Sequence, residues 1–332
     1  MDLSIIIVNW NSARYATQCV ASIQSQTNGL EYEIIIVDNA STDDSCRVLE
    51  HLPGVKLIRS PQNLGFARAN NLGFKSATGR NLLFLNPDTE LRGPAINLMY
   101  TCLESSPGVG VLGCKLLNTD LTTQTSCVQS YPTILNQALD GEGLRKVFPK
   151  SKLWGMRPLF EATDGGGVEA EMVSGACLMI PRQVFEKVGR FDPDYFIYAE
   201  DMDLCYRVRK AGGRICYLGG ATVVHHGGQS SKQQGGEEFS GPMVKQSVFT
   251  FFQKRRGQLY AYLYRAVMFK VALIRVCILG GLAVLPAAGS RQDSLRHSLR
   301  KWRKILRWTL GLEPWTRRLG ESEGQPPSPG RA

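Results

Sequence analysis

No two of the nine cysteines stand in C-x-x-C spacing, no apolar run follows a basic start, no internal repeat is visible, and there are only four histidines. Each absence bears on a class. Cysteines scattered at 19, 46, 102, 114, 127, 177, 205, 216 and 277 argue against a zinc ribbon or a disulfide scaffold and fit a reducing cytosol. The opening "LSIIIVNWN" reads as a strand and not as a secretory signal. Two of the histidines, His225 and His226, are adjacent in "VVHHGG".

The 332 residues, 43% hydrophobic and 20% charged, are globular in composition and enough for one large domain or two ordinary ones. The net charge of +10 is uneven. From Lys254 onward 16 Lys/Arg face 4 Asp/Glu, a balance of +12, and the preceding residues carry 23 against 25, a balance of −2. A near-neutral body with a basic tail points to an anionic partner for the tail.

Strand and helix signals alternate through the first third. "SIIIVNW" (4–10), "EIIIVDN" (33–39), "VKLIRS" (55–60) and "RNLLFLN" (80–86) read as strands. Residues 12–25, 41–52 and 65–77 read as helices, with Ser41 or Thr42 as the N-cap of the second. Unbroken apolar strands alternating with helices predict an α/β fold with a mostly parallel sheet covered on both faces. In such sheets ligands bind beyond the carboxyl ends of the strands. Asn9, Asp38, Asn86 and Asp88 all stand at such ends, so they are expected to line one crevice. Further on, 109–117 and "EMVSGACLMI" (171–180) read as strands, 182–189 and 200–211 as helices, and "RICYLGGATVVHH" as a strand pair. Residues 225–238 read as a loop, and much of 118–170 gives no periodic signal. "GVGVLG" (108–113) matches the G-x-G-x-x-G dinucleotide pattern, but a helix and "SSPG" precede it and a β-rich run follows, so that reading is set aside.

Four features carry chemistry, each with a structural alternative. A carboxylate at a strand end, Asp38, accepts from a base imide or a ribose hydroxyl, or caps the next helix. Asn86-Pro87-Asp88 offers oxygens to a hard divalent cation, which takes one or two carboxylates plus substrate phosphates. A lone N-P-D is also an ordinary turn. Glu200, Asp201 and Asp203 follow an aromatic run, where one of them would serve as a general base; acids also suit a helix N-terminus for electrostatic reasons. The histidine pair is a metal-ligand candidate or an incidental surface feature.

Their order and spacing resemble the family 2 glycosyltransferases, with the GT-A nucleotide-sugar fold. The resemblance runs over about residues 2–230, in "SIIIVNWNSARYATQCVASIQSQT", "IIIVDNASTDDS", "NLGFARANNLGFKSATGRNLLFLNPDTEL", "VSGACLMIPRQVFEKVGRFDPDYFIYAEDMDLCYRVRKAG" and "ATVVHHGGQSS". N-P-D and "HHGGQS" look most like the rhamnosyltransferase-type branch, which makes bacterial surface polysaccharides. The resemblance implies that Asp38 contacts uracil or thymine with Asn9 nearby, and that Arg68 and Asn70 approach the nucleotide. It implies Asp88 as the last acid of a D-x-D metal motif, with Asn86 where many members have the first. It implies His225 as a metal ligand with His226 as fallback, Asp201 as general base beside Glu200, and Ser174, Gly175 and Ala176 lining the sugar and acceptor pocket. The expected cofactor is Mg²⁺ or Mn²⁺. The expected reaction is inverting transfer from a nucleotide-sugar donor, dTDP-rhamnose favoured, to a lipid-linked or glycan acceptor. A catalytically degenerate sugar-nucleotide-binding protein is the alternative. A processive synthase would carry a Q-x-x-R-W motif and clear spans.

In the tail, residues 267–285 are apolar yet hold Lys270 and Arg275. In 294–310, Leu295, Leu299, Trp302 and Leu306 recur at helical spacing opposite Arg296, Arg300, Arg303 and Arg307, the pattern of a helix on an anionic membrane surface. The alternative is a helix docked on the catalytic domain. No nucleic-acid-binding fold accompanies the charge, and nucleic acid is not an expected partner. The expected layout is a catalytic domain over 1–240, a helical membrane-associating region over 241–315 and a disordered tail over 316–332, at the cytoplasmic face of the cell membrane, peripheral or monotopic.

Overall fold

Runs of Ile and Val without polar alternation make strands that are covered on both faces. The computed structural model shows this for β1 (Leu3–Asn9) and β4 (Asn81–Leu85), buried at every position, and for the Ile34–Asp38 part of β2 (Tyr32–Asp38). It describes residues 1–124, 126–139, 167–227, 237–284 and 289–313. The stretch 140–166, most of the loop expected at 225–238 and the expected tail at 316–332 lie outside the described residues. Two compact units are drawn, the first from Met1–Tyr131, Phe148–Pro193 and Glu200–Gln229, the second from Pro132–Val147, Asp194–Ala199 and Ser230–Ala332.

In the first unit β1, α1 (Ala13–Gln26), β2, α2 (Ser45–Leu49), β3 (Val55–Arg59), α3 (Gly65–Phe74) and β4 alternate. They are followed by β5 (Thr89–Arg92), α4 (Ala95–Glu104), β6 (Val109–Leu117) and β7 (Val128–Gln129). After α5 (Ile134–Leu139), which belongs to the second unit, come β8 (Val168–Glu169), β9 (Met172–Val173), β10 (Cys177–Pro181), α6 (Arg182–Lys187), α7 (Glu200–Lys210) and β11 (Arg214–His225). Among the described residues the main sheet has the order β3-β2-β1-β4-β10-β6-β11-β5, with β8 paired to β11. The strands β3, β2, β1 and β4 are mutually parallel, as are β6 and β11; β10 and β5 run antiparallel to their neighbours. At the edges, charged residues interrupt the apolar ones, Lys56 and Arg59 in β3 and Glu90 and Arg92 in β5, which discourages edge pairing.

The glycines of "GVGVLG" serve packing. Gly110 and Gly113 lie inside β6, where an added Cβ would come within 2.5 Å of Val208 Cγ1 and of Val173 Cβ. No helix follows them, which disposes of the dinucleotide pattern. Three other expectations change. "EMVSGACLMI" is two strands, β9 and β10, with a turn at 174–176 between them. "RICYLGGATVVHH" is one long strand, β11, whose register against β6 shifts between Leu218 and Thr222. α2 is shorter than expected and is not capped by Ser41 or Thr42, because both are engaged in the preceding loop: Ser41 Oγ accepts from the Asn11 N–H (2.9 Å), and the Thr42 N–H donates to Asn11 Oδ1 (2.7 Å).

The second unit has α5 with three long helices, α8 (Glu237–Arg256), α9 (Gln258–Val284) and α10 (Gly289–Thr309). Gly257, at φ +92°, takes the left-handed conformation that turns the chain between α8 and α9. Phe249, Phe252, Tyr264 and Trp308 form its aromatic core, and Trp308 Nε1 donates to Gln246 Oε1 at 2.8 Å. The apolar side of α10 is spent on this core: Leu299, Ile305 and Trp308 are buried, and Trp302 lies under Arg275. The stripe expected to meet lipid therefore packs on protein, because α8 and α9 offer the nearer apolar surface, whereas Arg296, Arg300, Arg303 and Arg307 are exposed.

Candidate active site

The parallel register places Asn9 opposite Asp38 at the carboxyl ends of β1 and β2. Both are buried, and Asn9 Nδ2 donates to Asp38 Oδ1 at 3.0 Å. The other carboxylate oxygen, Oδ2, accepts from the Ser41 N–H at 3.1 Å and from the Cys46 thiol at 3.1 Å. Burial and this carboxylate push the Cys46 thiol up to about 11, so it stays a donor. Asn9 Oδ1 is buried with no hydrogen-bond partner.

β4 is the neighbour of β1, and the turn that leaves it carries Asn86 and Asp88. Asp88 is 5% exposed. His225, at the end of β11, sets Nε2 3.3 Å from Asp88 Oδ1 and 3.3 Å from Asn86 Nδ2. Gln124 settles what that nitrogen presents. Its Nε2 donates to the His225 carbonyl at 2.6 Å, which orients the amide so that Oε1 faces His225 Nδ1 at 3.0 Å. An amide oxygen can only accept, so Nδ1 carries a proton, and Nε2 is the nitrogen turned toward the Asp88 carboxylate. A histidine held through its far nitrogen, with the near nitrogen beside a carboxylate, is the usual arrangement of a metal ligand. The donor set fits a hard divalent cation that draws its remaining ligands from phosphate. Among the described residues no group of three or more His, Cys, Asp and Glu side chains is placed to hold a metal by itself. His226 points elsewhere, with Nε2 3.6 Å from Glu90 Oε2 and its ring 5.6 Å from Tyr15.

Asp201 stands at the start of α7. Oδ2 accepts from the Gly175 N–H and Oδ1 from its own helix at the Met202 N–H, each at 2.7 Å. Burial raises its carboxyl above the usual aspartate range, and these two N–H groups oppose the rise without cancelling it. Gly175 is needed here, because an added Cβ would press to 3.1 Å from Asp201 Cβ. The adjacent Glu200 is buried; burial first, then the Asp201 charge, raise it well above the usual range, and its Oε2 has no hydrogen-bond partner. Asp203 is committed to structure, accepting from Arg207 Nε at 2.6 Å.

The 174–176 turn joins Asp201 to the Asn86, Asp88 and His225 group. The Asn86 N–H donates to the Ala176 carbonyl at 2.9 Å, Ser174 Oγ accepts from the Ala176 N–H at 3.2 Å, and Gly175 holds Asp201. A continuous line of contacts thus runs from His225 and Asp88 through Asn86 to Asp201. Arg68 and Asn70 are not joined to it among the described contacts: Arg68 Nε donates to the Pro193 carbonyl, and the buried Asn70 amide donates to Phe66 O in its own helix. Sequence reasoning missed Gln124, which stands in a stretch without periodicity, and Cys19, buried beneath the turn with Sγ 3.4 Å from Thr89 Oγ1.

Residues 4–189 match the family described as Glycosyl transferase family 2. The chain is 28% identical over 229 residues, 68% of its own length and 67% of the relative's, to the low-salt glycan biosynthesis hexosyltransferase Agl10 of Haloferax volcanii. It is 26% identical over 241 residues, 69% of its length and 77% of the relative's, to the N-acetylglucosaminyl-diphospho-decaprenol L-rhamnosyltransferase of Mycobacterium tuberculosis. It shares its fold with the mannosyltransferase PcManGT of Pyrobaculum calidifontis, solved with GDP-Man and Mn²⁺. The TM-score is 0.55 at 14% identity, over 93% of this chain and 86% of that one.

Proposed function

The chain belongs to glycosyl transferase family 2, and from that premise we propose that it moves a sugar from a nucleotide diphosphate sugar to a hydroxyl of a lipid-linked or polysaccharide acceptor, with inversion at the anomeric carbon. The observation that carries the reading is the line of contacts joining the Asp88–His225 pair to Asp201 through the 174–176 turn.

The Asn9–Asp38 pair receives the nucleobase. Asp38 accepts from an imide N–H or a ribose hydroxyl, and Asn9 Oδ1 is a spare buried acceptor. Arg68 and Asn70 flank the nucleotide from α3. Asp88 and His225, with Asn86, would hold Mg²⁺ or Mn²⁺. Such an ion, when bound with the donor, neutralises charge on the departing diphosphate. Asp201, oriented by two backbone N–H groups, takes the proton of the acceptor hydroxyl. That oxygen forms its bond to the anomeric carbon from the face opposite the diphosphate, which leaves with the bonding electron pair. One base and no enzyme nucleophile mean one displacement and an inverted product. The turn 174–176 lines the sugar and acceptor pocket, and Glu200, whose carboxyl is raised well above the usual range by burial, borders the base.

dTDP-rhamnose is the favoured donor; the mycobacterial relative's name supports the rhamnosyl part. Catalysis is assigned to residues 1–240 and membrane association to 241–315, at the cytoplasmic face. The test is transfer by the purified chain from dTDP-rhamnose, UDP-hexoses, UDP-galactofuranose and GDP-mannose, with and without Mn²⁺, with the product's anomeric configuration read by NMR. Metal-dependent transfer with inversion, lost in Asp88→Ala, is the expected result. Retention of configuration would overturn the single displacement. A folded protein that binds a sugar nucleotide without transferring it would establish the degenerate alternative.

A further inference from the structure

α9 has 27 residues, about 40 Å of helix, against a hydrocarbon core of about 30 Å. By length and composition it can cross a membrane. Its two sides differ. Ala261, Tyr264, Met268 and Ala272 form a fully buried stripe. On the other side Leu259 (86% exposed), Leu263 (53%), Ile274 (58%) and Ile278 (56%) stand open. Two of the cations that interrupt the apolar run are turned inward onto α10. Arg265 donates from Nε to the Thr309 carbonyl at 3.0 Å and from its terminal nitrogen to the Trp308 carbonyl at 2.8 Å; Arg275 stacks over the Trp302 ring at 4.3 Å. Further along, Gln292 Nε2 donates to the Ala283 carbonyl. As positions advance along α9 the partners retreat along α10, so the two helices lie antiparallel, side by side. The exposed face of α10 carries Arg296, Arg300 and Arg303 over about 10 Å, followed by Arg307, which is ion-paired with Glu313 at 3.0 Å.

We propose that the outward face of α9, with the arginine-bearing α10 alongside, docks the protein in the plane of an anionic lipid leaflet and does not cross the bilayer. This deepens the membrane-associated reading above by naming the surface and its mode of contact. Crossing is opposed on two counts. α10 would have to accompany α9 and carry its arginine face into hydrocarbon, where such residues are costly. Lys270, exposed and near the midpoint of α9, would sit at the bilayer centre. Lying in the plane, α9 buries its leucines and isoleucines at the acyl boundary while Lys270 extends to the headgroups, and the arginines meet lipid phosphates. Charge also argues against a second copy of this chain as the occupant. A two-fold pairing of the same face brings Lys270 toward Lys270 and one arginine row toward another, whereas an anionic leaflet complements both.

The test is vesicle flotation of the full chain. Binding is expected to phosphatidylglycerol-containing vesicles, at least ten times weaker to phosphatidylcholine alone, and weakened by salt. The double variant Ile274→Glu/Ile278→Glu alters only exposed positions and is expected to float at least ten times less at unchanged circular dichroism. On vesicles the native Cys277, exposed on α9, is expected to be protected from a membrane-impermeant maleimide, as read by peptide mass. Asp293→Cys, near the start of α10, is expected to remain reactive from outside. Flotation unchanged by the glutamate pair overturns the surface. An Asp293→Cys site that reacts only after vesicles are permeabilised overturns the in-plane mode. A vesicle-indifferent dimer broken by the glutamate pair assigns the face to a second copy instead. Transfer to a water-soluble acceptor, measured in parallel, is expected to be equal in wild type and the glutamate pair. Its absence in both would count against the glycosyltransferase reading alone, while flotation still decides the surface.

Discussion

On the side of β3, β2, β1 and β4 the strands run parallel in an unbroken register, and Asn9 meets Asp38 because adjacent strands end together. On the side of β10, β6, β11 and β5 strand directions are mixed and β11 shifts register, and His225 meets Asp88 through a turn, a bulged strand and the Gln124 amide. The first half of the site is built by backbone regularity. The second depends on particular side chains reaching across the fold, so it is the half in which single substitutions should do most damage to chemistry.

Asp201→Asn, at the inner end of the irregular half, should have the largest effect. We expect kcat to fall on the order of 10²–10⁴-fold, the usual worth of a general base, with nucleotide binding kept in a thermal-shift assay. Because burial raises Asp201, the acid limb of the wild-type pH–rate profile should lie above the ordinary aspartate value of 3.8. Asp38→Ala tests the regular half. It removes a charged acceptor and strands the Asn9 amide, and should raise KM for the donor roughly 10–100-fold with a smaller change in kcat. Gln124→Leu sharpens the contrast. It frees His225 to change tautomer and should weaken Mn²⁺ binding about tenfold, read by paramagnetic resonance in the presence of nucleoside diphosphate; unchanged affinity would mean that the histidine is oriented by the fold alone.

Two smaller effects concern stability. Gly73→Ala in the regular half and Gly113→Ala in the irregular half would each set a Cβ within 2.7 Å of a packed side chain, and each should cost about 1–3 kcal/mol in denaturant unfolding. Equal costs would show that both halves are packed alike and differ only in how they build the site. Glu200→Gln should have the smallest effect. Glu200 binds its proton more tightly folded than unfolded, so its contribution to stability is complete below the usual glutamate value of 4.5 and is lost as pH rises through the raised value. The variant should therefore melt above wild type in alkaline buffer and level with it in acid.

The regular half was legible because continuous apolar runs admit few other interpretations, and Asn9, Asp38, Asn86 and Asp88 stand at their ends. The irregular half was legible only where a motif marked it, at His225, Asp201 and 174–176. Gln124 sits in a loop with no periodicity, and nothing local distinguishes it from other surface glutamines. Ser41 looked like a helix cap because capping residues and loop-locking residues are the same types; the loop around Asn11 claimed it. The stripe of α10 was visible as a stripe, but amphipathic spacing does not say what covers the apolar side.

By itself the sequence determined the strands, their burial, the carboxylates and amides at their ends, and the concentration of positive charge in the last third, since these follow from side-chain type and short-range periodicity. Only the tertiary structure decided which nitrogen His225 turns to Asp88, that α10 spends its apolar side on α8 and α9, and that the open apolar face belongs to α9. Those outcomes rest on contacts between residues up to 139 positions apart, where the nearest hydrogen-bond or apolar partner wins and local pattern carries no information about which partner is near.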